Sequence, residues 1–101
     1  MDNFNKILII DDEIDICKQL SGLLNDLGYN SSYSNTAVEG IELFRTKNFS
    51  LVLLDILLGN SKFDGFQTLE KIKNINQDIP VIMISGHGNI ETAVNSIKQG
   101  A

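Results

Sequence analysis

Three short apolar runs set the tightest limit on what this chain can fold into: Ile7-Leu8-Ile9-Ile10, Leu51-Val52-Leu53-Leu54 and Val81-Ile82-Met83-Ile84. None alternates with polar residues, which is the pattern of a strand covered on both faces. Such strands need one layer of helices above them and another below. A fourth segment, residues 29–34, is more polar and reads as a strand nearer the sheet edge.

Helical spacing fills the gaps. Ile14, Cys17, Leu20, Leu24 and Leu27 recur at three and four residues, with Gly28 as a stop. Thr36-Ala37-Val38-Glu39 has capping-box spacing and opens a helix with the stripe Val38, Ile41 and Phe44. Phe66, Leu69, Ile72 and Ile75 mark a third helix after Asp64-Gly65. Ile90, Ala93, Val94 and Ile97 mark a fourth, between an Asn89 cap and a Gly100 stop. The order βαβαβαβα demands right-handed crossovers, hence an α/β fold with a doubly wound parallel sheet. A length of 101 residues allows one domain, 1–101.

Composition removes several function classes. The net charge of −5 argues against a free-standing binder of nucleic acid or anionic membrane, since phosphate selects positive surface. A single cysteine, Cys17, excludes an internal disulfide framework and fits a reducing compartment. Its helical register predicts a buried small hydrophobe rather than a reactive thiol. No run approaches the roughly 20 apolar residues of a membrane span, and residues 1–6 lack a signal-peptide pattern. A cytoplasmic location is the expectation.

The acids fall at informative places. Asp11-Asp12 directly follows the first apolar run, Asp55 the second, and Ser85-Gly86 the third. In a parallel sheet all these positions share the carboxyl edge, where open α/β sheets bind ligands at the switch point of strand order. For the order 2-1-3-4 that point lies between the first and third strands, so Asp11, Asp12 and Asp55 would converge. Gathered carboxylates repel and resist ionisation unless a cation neutralises them. Mg²⁺, a hard ion that takes oxygen ligands and keeps several waters, suits such a set. It would also draw phosphoryl oxygens toward a carboxylate able to act as nucleophile. Taken singly, these residues have plainer readings: Asp and Ser are common in loops, and Asp12 could cap the first helix.

Together, Ile7 to Glu13, Leu51 to Ile56, Asp64-Gly65 and Pro80 to Gly88 resemble the receiver domain of two-component response regulators. From about Lys6 to the last residue the likeness is greatest to receivers of the NtrC/NtrX type. The resemblance implies a flavodoxin-like sheet and a phosphoacceptor switch rather than an enzyme. It makes Asp55 the acceptor of a phosphoryl group from a sensor histidine kinase. It makes Asp12 a direct Mg²⁺ ligand, Asp11 a ligand largely through water, and the backbone carbonyl of Leu57 a further ligand. Ser85 becomes the switch hydroxyl, and the Gly86 N–H a donor to the phosphoryl group. Helix four and the edge of the fourth strand would face an output domain or a second copy. DNA would be contacted only through a transcriptional output domain elsewhere in the polypeptide.

Two departures from the usual receiver pattern stand out. The loop Leu58-Gly59-Asn60-Ser61-Lys62-Phe63 lacks the usual proline and is about two residues longer, as in NtrX-type receivers. The chain also ends at Ala101, before the fifth strand, its phosphate-contacting lysine and the fifth helix, as expected for a piece of a longer polypeptide. No lysine present takes that role.

His87, flanked by glycines and remote from any other His or Cys, reads as a loop or partner-contact residue. No G-x-G-x-x-G or Walker-type loop points to a nucleotide. Two alternatives belong to other classes. One is a phosphorylation-independent interaction module of the same fold. The other, an aspartate-nucleophile phosphatase, normally brackets one residue between its acids, whereas Asp11 and Asp12 are adjacent.

Overall fold

A computed structural model describes residues 6–55 and 64–84. In order they form β1 (Lys6–Ile10), α1 (Ile14–Asp26), β2 (Asn30–Ser34), α2 (Ala37–Thr46), β3 (Leu51–Asp55), α3 (Gly65–Ile75) and β4 (Val81–Ile84). The strands make one parallel sheet in the order β2-β1-β3-β4, as the sequence predicts. The expected fourth helix, the 58–63 loop and His87 lie outside the described residues.

Alternate side chains of the inner strands feed two cores. Ile7, Ile9, Leu51 and Leu53 pack with Cys17, Leu20 and Leu24 of α1 on one face. Leu8, Ile10, Val52 and Leu54 pack with Ala37, Ile41 and Phe44 of α2 and Ile72 of α3 on the other. This double burial is why Ile7–Ile10 of β1 and Leu51–Leu54 of β3 carry no polar position. β2 is shorter at its start than the sequence suggests: Tyr29 is spent on ending α1. Its N–H donates to the Leu24 carbonyl and that of Gly28 to the Asn25 carbonyl, a Schellman closure with Gly28 at φ +97°.

The expected helix stripes are buried at Cys17, Leu20, Leu24, Ile41, Phe44 and Ile72, but not along their whole length. Ile14, Leu27, Val38, Phe66 and Ile75 are all substantially exposed, Phe66 at 62%. Small residues share the buried faces: Ala37 and Gly40 on α2, Gly65 and Thr68 on α3. Caps differ too. Thr36 accepts from the Glu39 N–H, but the reciprocal capping box forms at α3, between Asp64 and Gln67. Glu13, not Asp12, is the N-cap residue of α1, and its side chain makes no cap bond.

Gly40 shows why size matters at these contacts. A Cβ built there would lie 2.6 Å from Cδ1 and 2.7 Å from Cγ1 of the fully buried Ile10. Overpacking of this kind costs about 1–3 kcal/mol, against about 1 kcal/mol gained in helix propensity. Gly40→Ala is therefore expected to lower stability, by up to about 2 kcal/mol in urea unfolding, although the same change on an exposed helix face would raise it.

Candidate functional site

The register of β1 and β3 builds the site. Ile9 lies beside Leu53 and Ile10 beside Leu54. One residue further, Asp11 and Asp55 emerge side by side, on the side of the sheet that Ile9 and Leu53 share. Both are almost completely buried, at 4% and 7% exposure, and Asp12 is half-buried next to them. One carboxylate oxygen from each of Asp11, Asp12 and Asp55 lies within 4.8 Å of the others. The topology thus gathers acids 44 positions apart in the chain. Leu57, Ser85 and Gly86 lie outside the described residues.

The turn after β1 is fixed at several points. The Asp11 N–H donates to the Ser34 carbonyl at 3.1 Å, carrying the β1–β2 ladder one step beyond the strand. Asp11 Oδ1 accepts from the Glu13 N–H at 2.9 Å, a side-chain turn that aims the carboxylate. The Asp11 carbonyl accepts from Asn35 Nδ2 at 3.1 Å and from Cys17 Sγ at 3.4 Å. Sequence reasoning passes over Asn35. Nothing in a lone sequence marks an asparagine 24 residues downstream as a partner of Asp11.

Burial pushes the Asp11 carboxyl up from its ordinary 3.8 to about 6. The Glu13 N–H opposes that rise, while the carboxylates of Asp55, Asp12 and Glu13 add to it. Repulsion between gathered acids, the cause expected from sequence, is therefore real but secondary to desolvation. Burial also raises the Cys17 thiol to about 12, with the Asp11 charge adding. Cys17 is consequently a buried donor and not a nucleophile, as its helical register predicts.

An all-oxygen donor set, two of its members desolvated, fits a hard divalent cation. Oxygens around octahedral Mg²⁺ lie ~3 Å apart when adjacent and ~4.2 Å when opposite, and the three acids bring one oxygen each within 4.8 Å of the others. A soft metal would want sulfur or imidazole, and the nearby Cys17 sulfur is protonated and turned to a backbone carbonyl. Among the described residues no helix is long and apolar enough to cross a membrane.

Comparison with known proteins gives the same picture. The chain is 45% identical over 95 residues to the nitrogen assimilation regulatory protein NtrX of Azorhizobium caulinodans, covering 94% of this chain and 21% of that protein. It thus spans about a fifth of the length of the curated relatives it matches. The crystal structure of the receiver domain of NtrX from Brucella abortus superposes with a TM-score of 0.77 at 43% identity, covering 94% of this chain and 79% of that one. A CheY-like receiver domain from Methanospirillum hungatei gives 0.77 at 32% identity, covering 96% and 76%. Residues 7–101 match the response regulator receiver domain. With its 2-1-3-4 parallel sheet and its acids at the carboxyl edge, the chain belongs to the response regulator receiver family, a signalling fold and not an enzyme.

Proposed function

We propose that this chain, as one domain over residues 1–101, is a two-component receiver that accepts a phosphoryl group on Asp55 in a Mg²⁺-dependent reaction. The convergence of Asp11, Asp12 and Asp55 at the β1–β3 switch point carries this reading. Asp12 would hold the cation directly, with Asp11 acting largely through water and Asp55 and the Leu57 carbonyl completing the protein's share. Bound there, Mg²⁺ supplies the positive charge that lets an anionic phosphoryl group approach three acids.

The chain's own part is nucleophilic. A carboxylate oxygen of Asp55 attacks phosphorus, the bond from phosphorus to the kinase histidine nitrogen breaks, and the imidazole leaves with its electron pair. Water later cleaves the acyl phosphate to inorganic phosphate and the free carboxylate. The hydroxyl of Ser85 and the N–H of Gly86 would receive the phosphoryl oxygens. The partners are a sensor histidine kinase and an output domain, or a second copy, engaged through helix four and the β4 edge. The output is transcriptional, DNA being met through that output domain, and the setting is cytoplasmic.

Incubation with a small phosphodonor tests this by intact mass. A gain of one phosphoryl group that needs Mg²⁺ is expected. No gain, in a folded chain supplied with Mg²⁺ and donor, would return it to the phosphorylation-independent interaction module.

A further inference from the structure

Residue 11 is held at both ends by two consecutive residues, the last of β2 and the first beyond it. The Ser34 carbonyl takes its N–H, and the Asn35 side chain reaches across to its carbonyl at 3.1 Å. The orientation of that amide follows from its partners: a carbonyl only accepts, so the nitrogen must face it. The same nitrogen lies 3.7 Å from Cys17 Sγ, which donates to the same carbonyl. Cys17 comes from α1 and Asn35 from the loop that leads into α2, so two elements close on one carbonyl oxygen. The acids at 11 and 12 hang from the peptide bond to which that oxygen belongs.

We infer that Asn35 is a positioning residue for the acid cup, clamping the Asp11–Asp12 peptide so that both carboxylates face the cation site. The inference rests on the cation-binding reading proposed above. Without the amide, the thiol is the one donor to the Asp11 carbonyl left among the described residues. The turn can then rotate, and the cup opens without loss of any ligand. Partners that orient ligands in this way are typically worth tenfold or more in metal affinity. Ser34 cannot substitute, since its hydroxyl is committed to the Thr36 carbonyl at 2.9 Å.

The test is a Mg²⁺ titration of the ¹⁵N-labelled full chain followed by amide shifts, at a temperature where the spectrum shows a folded protein. Asn35→Ala is expected to weaken Mg²⁺ binding about tenfold, and Asn35→Gln, which restores a donor, to recover part of that loss. Equal affinity in Asn35→Ala and the unsubstituted chain would overturn the inference and leave the cation site standing. An unsubstituted chain that shows no Mg²⁺-dependent shifts would overturn both. If Asn35→Ala does not fold, the side-chain amide resonance of Asn35 in the unsubstituted chain decides. It should move with Mg²⁺ although it carries no ligand atom, and a resonance that stays still while those of residues 11, 12 and 55 move would refute the clamp.

Discussion

Asp55→Asn is expected to abolish phosphoryl incorporation, a loss beyond a hundredfold against the unsubstituted chain. The carboxamide keeps the size and one oxygen of the side chain but lacks the anionic nucleophile that can form an acyl phosphate. The fold should survive. Position 55 closes β3 with its backbone in register against Ile84, and substitution leaves that pairing intact. The change also removes one of the charges that act on Asp11, so the metal-free variant should be no less stable than its parent. Intact mass after donor and Mg²⁺ treatment, with urea unfolding of the same sample, checks both halves. Phosphorylation undiminished in the variant would move the acceptor to another acid.

Metal-free chain should lose stability as pH rises from about 4 to about 7. The sign follows from Asp11, whose folded carboxyl sits at about 6 against an ordinary 3.8. A carboxyl raised in the folded state binds its proton more tightly there than in the unfolded chain. Its favourable contribution is complete below 3.8 and is lost as pH climbs through 6. The full shift corresponds to about 3 kcal/mol, and screening at the open edge of the sheet brings the expected loss nearer 2 kcal/mol. Mg²⁺ should reverse the trend. It binds the ionised cup, and at a hundred times its dissociation constant a ligand restores about 2.7 kcal/mol. Urea midpoints across pH 4–7, with chelator and with Mg²⁺, should therefore diverge as pH rises. Parallel curves would exclude a desolvated Asp11 from the cation site.

Sheet order and the acid cup were legible in the sequence because both depend on strong, local signals. Uninterrupted apolar runs locate β1, β3 and β4, and residues directly after such runs must emerge on one edge. Helix faces were less legible. Spacing of three and four gives a stripe its direction, but the large side chains of Ile14, Val38 and Phe66 drew the expected contact away from where the axis settles. Close approach of α2 to β1 favours Gly40, and hydrophobicity alone ranks that residue and the buried Thr68 low. The Asn35 bond to Asp11 was not legible at all, since it joins two loops that meet only once β1 and β2 have paired.

Successive residues at the end of β1 look into opposite halves of the molecule. Ile10 presses on Gly40 in the layer of α2, whereas the Asp11 carbonyl is held by Cys17 in the layer of α1. The final peptide of that strand is thus a lever with a helix at each end. Only a few covalent bonds separate each of these contacts from the Asp11 carboxylate, so a shift of either helix is expected to be felt there.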